Sequence, residues 1–369
     1  MEYAATALSL CGIIFSLFMR RNLVGAAANG ILLLGVILYF GTRLNFGNDY
    51  FNYEKLHICS TVGKCDPNLY WEPFYSAMAA VLYSLGVGFG GFLLVIAFLS
   101  LSLKYIVFSK VSYFGQIFFW LYVGIYGLPI EAGSIRQGLS IALLLASALS
   151  LTDRRYFMGL IFVFFAVNAH ISAILAIPFV ILAYFLAASR LPLSFIFFCL
   201  FLIFGLVLWI PFSLVTEFIM SIISTTGVQA LASKASFYLS SLKFTAPTNE
   251  GIVRELKHLV MFILFFGVYK SRVINTVFAR TTSTLFLCGI FLVAYFGADS
   301  ELGTRLPAYF IPLEVIPLGS FLFLPQKRFR IFPVILLAAI SIILIIRNMK
   351  FLGGIWGQNY SSYQSWLFL

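Results

Sequence analysis

Apolar residues run along this chain in long unbroken stretches, and short polar clusters separate them. The stretches fall at about 3–19, 23–41, 87–103, 111–129, 134–151, 156–169, 171–188, 193–215, 257–270, 283–298, 304–324 and 331–347. Several reach the roughly 20 residues that carry a helix across a hydrocarbon core. In lipid each backbone N–H and C=O must be paired within its own segment, so these stretches are predicted to be helices. The short alternating segments of a membrane β-barrel do not occur. The pattern predicts an all-α integral membrane protein of about 12 transmembrane helices, with residues 1–369 forming a single multi-span domain.

The breaks between stretches carry their own signals. Residues 72–85 read as an interfacial helix rather than a span, and Gly86, Gly88, Gly90 and Gly91 would hinge it to the next one. Two connections are long: the first loop, 42–86 with that helix included, and the loop 217–256. Apolar character also continues from 156 to 188. A straight helix of that length would run about 48 Å, far beyond a core of roughly 30 Å. The expected break is at Asn168–His170. A single tilted span there would invert everything downstream; the basic cluster Lys327, Arg328 and Arg330 in a short loop favours the split.

Composition sharpens the class. The chain is 62% apolar and 10% charged, whereas a soluble domain carries about 25% charged residues. No basic region precedes the first stretch and no cleavage-like site follows it, so it is expected to be a retained span. Arg20 and Arg21 follow it directly and put its start outside. With that orientation the inside set is Arg20, Arg21, Lys104, Lys110, Arg154, Arg155, Arg190, Lys270, Arg272, Arg280, Lys327, Arg328 and Arg330, or 13 of the 24 basic residues. Asp153 is the one acid among them. The net charge of +11 is thus explained by membrane topology rather than by a nucleic-acid partner. Both termini and both long loops are expected outside.

Cys11, Cys199 and Cys288 sit in predicted spans as small apolar residues. Cys59 and Cys65 share the first outside loop. A disulfide there suits an oxidising compartment such as the periplasm, with two free thiols as the alternative. Without neighbouring His or Cys pairs they make a poor zinc site.

The outside face gathers the candidate chemistry. It holds GNDYFNYEKLH and YWEPFY in the first loop, PIEAGSIRQ at 129–137, NEGIVRELKH, and GADSELGTRLPAY. These bring Asp49, Glu72, Glu131, Arg136, Arg254, Asp299, Glu301 and Arg305 to one side, with His170 near it at the helix break. Plain structural roles compete. Glu250 with Arg254 and Glu301 with Arg305 are four apart, the spacing of solvated helix pairs. Asp49 and Tyr53 could line a polar loop. Glu72 before Pro73 fits a helix N-terminus, where an acid offsets the dipole. Arg136 lies about two residues inside a span, where a buried guanidinium is expensive unless it faces a polar cavity, and its fork can hold two phosphate oxygens. His170 in FFAVNAHISAILAIP could cap the broken helix or act as a base. Glu314 lies deep in FIPLEVIPL, which Pro312 and Pro317 disrupt. No phosphate-binding glycine loop, nucleotide fold or HExxH motif is present, so a pre-activated, lipid-carried donor is expected and no cofactor.

Five pieces of the chain together resemble the EpsG family of Wzy-like polysaccharide polymerases. They are Asp49 with Tyr53 in GNDYFNY, Glu72–Pro73 in WEPFY, Arg136–Gln137 in SIRQGLS, His170–Ile171–Ser172 in NAHIS and, more loosely, Arg305 in TRLPAYF. The likeness spans about residues 40–315, and Glu131 is not part of it. The resemblance implies a GT-C type glycosyltransferase of a bacterial inner membrane, facing the periplasm. It would join oligosaccharide units carried on undecaprenyl diphosphate. His170, Asp49 and Glu72 would be the catalytic candidates, and Arg136, Gln137, Arg254, Arg305 and Tyr53 would bind substrate. A departing diphosphate needs positive charge and the acceptor hydroxyl needs a base; the arginines and His170 suit both without a metal. Asn48 precedes Asp49, so no DxD-type metal motif occurs. A chain-length regulator and a flippase of the same pathway are the implied partners. A lipid-linked oligosaccharide flippase, an O-antigen ligase and a membrane acyltransferase are the alternatives. The flippase would rely on paired halves, and no internal repeat is found.

Overall fold

The computed structural model describes residues 4–18, 23–47, 49–62, 72–112, 115–189, 276–296 and 305–320, with 195, 198–200, 202, 217, 221, 339, 343 and 364–365 besides. The expected spans 193–215, 257–270 and 331–347, the loop 217–256, Cys65 and Arg254 fall wholly or largely outside these residues.

The first two apolar stretches form α1 (Ala4–Phe18) and α2 (Leu23–Gly41), which pack on each other. Polar side chains tie this pair to α6 (Gly115–Tyr126). Asn29 Oδ1 accepts from Ser16 Oγ at 3.0 Å and from Trp120 Nε1 at 2.8 Å, while Ser9 Oγ donates to the Trp120 carbonyl at 2.5 Å. Each such interhelical bond contributes roughly 0.6–2 kcal/mol in a membrane.

The described part of the first loop holds more helix than its sequence suggests. It holds α3 (Tyr50–Val62), a helix not expected from the hydropathy pattern, and α4 (Pro73–Ser84), a helix where one is expected over 72–85. In α3 the residues Tyr50, Tyr53, Leu56 and His57 are buried. They recur at helical spacing on one face, a pattern too short and too polar overall to stand out as a span. Cys59 in this helix is disulfide-bonded, to a partner outside the described residues; Cys11, Cys199 and Cys288 are free.

Next come α5 (Phe89–Val111), α6, a π-helical segment (Gly127–Gly133) and α7 (Ile135–Thr152). The apolar stretch expected to end at residue 103 continues to Val111, so Lys104 stands about two turns inside α5. Lys104 is therefore not a marker of the inner surface, as the charge count supposes. It is completely buried, 2.5 Å from Glu131, and Glu131 belongs to the set assigned to the opposite face. A positive charge satisfied by a buried partner looks, in sequence, like a span end.

The long apolar stretch breaks where expected. The helix α8 (Tyr156–Ala169) stops at His170, whose backbone is extended, and α9 (Ala173–Ala188) restarts after Ser172. The buried stripe of α9 is Ala173, Ala176, Val180, Ala183 and Ala187, alternating by three and four. Small residues at this spacing let backbones approach closely, which is how helices associate where lipid is as apolar as leucine. The large side chains Phe157, Leu160, Phe164 and Phe185 point outward, as a lipid-facing surface requires. Central to the bundle is α7, buried over nearly its whole length and packed on α5, α8 and α9.

After these comes α10 (Val277–Phe296), packed on α9 and beginning earlier than the expected 283. The expected helix at 304–324 is instead two 3₁₀ turns, Pro307–Tyr309 and Ile311–Glu314, and a short α11 (Val315–Ser320). Pro307, Pro312 and Pro317 each remove a donor, which precludes a continuous α-helix. Among the described residues one two-stranded pairing occurs: Arg43–Leu44 (β1) runs antiparallel to Gln364–Ser365 (β2), and the Thr42 and Ser365 hydroxyls meet at 2.7 Å. The C-terminal end of α2 and residues 364–365 therefore lie together. Among the described residues three helices are long and apolar enough to cross a membrane, α2, α5 and α7, with shorter apolar helices around them. This is an all-α membrane protein.

Candidate functional site

Glu72 is the centre of the site. It occupies the N-cap position of α4 with Pro73 as the first helical residue, yet its side chain makes no cap bond. Both carboxylate oxygens turn inward instead. Oε2 accepts from Arg136 Nη1, and Oε1 lies 2.9 Å from His170 Nδ1. The residue is 1% exposed. The Glu72 carboxylate is thus turned to Arg136 and His170 and makes no cap bond to α4.

Three separate pieces of chain supply these groups. Arg136 sits in the first turn of α7, immediately after the π-helical segment. His170 is the extended residue between α8 and α9, where the interrupted helix frees its side chain from helical register. Glu72 comes from the far end of the first loop. A tight contact holds that loop in place. Gly47 has a φ of +112°, and a Cβ there would sit 2.2 Å from the Ala132 carbonyl oxygen, so glycine alone allows the loop to abut the π-helical segment. The loop then enters α3 through Asp49, and Tyr53 faces the site.

The Arg136 guanidinium lies 5.0 Å from the centre of the Tyr53 ring, a cation–π contact. The Tyr53 hydroxyl is 3.5 Å from both Asp49 Oδ2 and the Gly133 carbonyl. Burial pushes its phenol up to about 12, so it stays a hydroxyl. Asp49 is half-buried and reaches Tyr53 rather than His170. Gln137 Nε2 donates to the Arg305 carbonyl at 2.7 Å, which fastens the 305–314 segment to α7. Tyr309 strengthens that link: its hydroxyl is 3.0 Å from Ser172 Oγ and 3.4 Å from Ser140 Oγ. The sequence motifs thus converge in space, apart from Arg254, which lies outside the described residues.

Two buried nitrogens in this cluster, Arg136 Nε and His170 Nε2, have no hydrogen-bond partner among the described residues. Buried polar atoms left unmet cost about 1–3 kcal/mol each, and a catalytic role is one of the reasons native proteins keep them. Here one is an obligate donor. The other is an acceptor whenever the Nδ1 proton is held by Glu72.

Glu131 behaves differently. Its carboxylate meets Lys104 Nζ at 2.5 Å, Tyr122 Oη at 2.5 Å and Ser100 Oγ at 2.9 Å, and Lys104 also donates to the Gly138 carbonyl at 2.6 Å. The pair joins α5, α6, the π-helical segment and α7 below the site. Removing one partner from a buried pair costs roughly 3–5 kcal/mol, so its place is in holding the start of α7. Lys104, Tyr122 and Tyr309 escaped the sequence reasoning. Only Lys104 left a trace there, as a single charge in the apolar run SLSLKYIVF. Glu314, the other deep acid, accepts from the Tyr126 hydroxyl. Among the described residues no three metal-ligating side chains converge.

A family model described as the EpsG family matches residues 29–365, nearly the whole chain. The chain belongs to the EpsG family. No curated protein and no solved structure matches it. EpsG proteins are Wzy-like polymerases, so this chain is a polysaccharide-polymerase-like membrane protein. Every residue of the Glu72 cluster falls inside the matched range.

Proposed function

We propose that this EpsG protein is a GT-C type glycosyltransferase of about 12 spans that polymerises oligosaccharide repeat units carried on undecaprenyl diphosphate. The observation that carries the reading is the Glu72 cluster, where an oriented histidine and a stacked arginine from separate elements both keep a buried nitrogen unsatisfied. The growing chain is the donor, joined through its anomeric carbon to the lipid diphosphate. A hydroxyl of the next lipid-linked unit is the acceptor. Glu72 accepts the Nδ1–H of His170 and so directs the lone pair of Nε2 outward. His170 Nε2 takes the hydroxyl proton while the oxygen bonds to the anomeric carbon. The bond from that carbon to the diphosphate oxygen breaks, and the lipid diphosphate leaves with the electron pair. Arg136 stabilises its charge, with Arg305 nearby. Arg254 remains a candidate for the same task, and Asp49 supports Tyr53.

His170→Gln is the direct test. Glutamine keeps a polar side chain of similar length but has no basic nitrogen. The variant, purified and monodisperse, should still bind undecaprenyl diphosphate while its yield of polymer falls roughly 10²–10⁴-fold, the span associated with general-base removal. A normal polymer ladder from this variant rules out His170 as base. Ladder formation itself separates polymerase from flippase, ligase and acyltransferase, because only polymerisation gives a series of chain lengths.

The reaction is assigned to the periplasmic face of the inner membrane. The basic residues of the loops near Arg154 and Lys327 support this orientation; the pairing of β1 with β2 puts the first loop and residues 364–365 on one side of the membrane, as an even number of intervening spans requires. An impermeant thiol reagent applied to spheroplasts should label a cysteine introduced beside Lys243 and spare one beside Lys327. The opposite pattern reverses the orientation.

A further inference from the structure

A third buried polar atom near the Glu72 cluster has no hydrogen-bond partner among the described residues: the hydroxyl of Tyr75. Tyr75 follows Glu72 by three residues in the first turn of α4, a spacing that puts both side chains on the same side of the helix. It is 1% exposed. Its ring is fixed by neighbours, 4.7 Å from the Phe92 ring in an edge-to-face contact and 6.2 Å from the Tyr53 ring. Tyr53 in turn carries the Arg136 guanidinium. Tyr75, Tyr53 and Arg136 therefore form one stack leading from α4 to α7. Tyr75 feels the charges of both Arg136 and Glu72, and burial holds its phenol well above the usual range, so it persists as an O–H donor.

Packing explains the ring of Tyr75, but it does not explain the hydroxyl. A phenylalanine would make the same edge-to-face contact without burying an unmet donor, which costs about 1–3 kcal/mol. Among the described residues three buried atoms from three elements, Tyr75 Oη, Arg136 Nε and His170 Nε2, lack a partner; Arg136 and His170 pair with the Glu72 carboxylate, and Tyr75 reaches Arg136 through the Tyr53 ring. The first two are donors and the third is the proton acceptor. Two donors on either side of the Tyr53 ring suit an anionic group with several oxygens rather than a single sugar hydroxyl, which also needs an acceptor.

We propose that Tyr75 is a substrate-contacting residue of this site, its phenol O–H donating to a phosphate oxygen of the lipid diphosphate that Arg136 engages. This rests on the polymerase reading given above. It separates the labour within the cluster: Tyr75 and Arg136 hold the leaving group, and Glu72 and His170 handle the acceptor proton.

The test uses the full chain in nanodiscs and two probes, undecaprenyl diphosphate and the uncharged undecaprenol. Tyr75→Phe deletes the hydroxyl and keeps the ring, so insertion and elution should be unchanged. Its affinity for undecaprenyl diphosphate should fall about tenfold, as for loss of one hydrogen bond to a charged group, and its affinity for undecaprenol should not change. Tyr75→Phe that binds the diphosphate as tightly as wild type, while Arg136→Ala does not, overturns the inference and leaves the polymerase reading standing. Equal losses for both lipids also overturn it, since they mark a packing role. A wild-type protein that does not prefer the diphosphate to undecaprenol defeats the polymerase reading, and the inference with it.

Discussion

Glu72→Gln should stop polymerisation almost completely, with a loss of roughly 10²–10⁴-fold in ladder formation, while the protein still inserts. The exchange keeps shape and removes charge. It strikes two partners at once, because one carboxylate oxygen takes Arg136 and the other faces His170 Nδ1. An amide has one acceptor oxygen. If its NH₂ turns to the guanidinium, Arg136 loses its acceptor; if it turns to Nδ1–H, His170 loses the acceptor that fixes its tautomer. Arg136, whose side chain is 20% exposed, is left as a largely buried charge without its counter-ion, and breaking such a pair costs roughly 3–5 kcal/mol. Thermal unfolding in detergent should therefore drop along with activity. Glu72→Asp supplies the control for charge alone: it retains the negative charge and shortens the reach, so it should recover stability more than turnover. A wild-type ladder from Glu72→Gln would remove Glu72 from the mechanism.

Arg136→Lys should lose most activity, about 10²–10³-fold, comparable to deleting one preorganised donor at a developing oxyanion. Arginine does three things here that lysine cannot combine. It donates to Glu72 through Nη1, lays its plane against the Tyr53 ring, and keeps Nε free for a ligand. An ammonium is a point charge on a flexible stem, and its pairing with Glu72 would draw it away from the ring. The Lys variant should insert normally, because the net charge of α7 is unchanged. Near-normal polymer from Arg136→Ala would sink the assignment. Arg305 makes an informative comparison. Its backbone carbonyl, not its side chain, accepts from Gln137, so Arg305→Ala leaves that link intact and should cost less than Arg136→Lys.

The motifs singled out in the sequence do meet: Glu72 of WEPFY, Arg136 of SIRQG, His170 of NAHIS and Tyr53 of GNDYFNY share one cluster. They were legible because each breaks the local rule of an apolar chain. Arg136 is a charge inside a span, and His170 falls where an apolar stretch is too long to be one helix. Glu131 broke the same rule and proved structural. Its partner Lys104 lies 27 residues away on another helix, and nothing in the pattern of either segment tells a paired buried charge from an unpaired one.

Sequence alone determined that this chain is a helical membrane protein, because the absence of water in a bilayer forces long apolar stretches to pair their backbones internally. It also determined where α8 must end, because a helix rises a fixed distance per residue and a bilayer is only so thick. Tertiary structure decided the use of each polar side chain. Glu72 could have capped α4, since a carboxylate before Pro73 is suited to that position; it instead turns to Arg136 and His170 because the Gly47 contact brings the first loop against the π-helical segment. Lys104 could have marked a membrane surface, and Tyr75 could have been one more apolar ring. The choice between such roles is made by partners distant in sequence, since a buried charge or hydroxyl is defined by what lies within about 3 Å of it, and those neighbours exist only once the helices have packed.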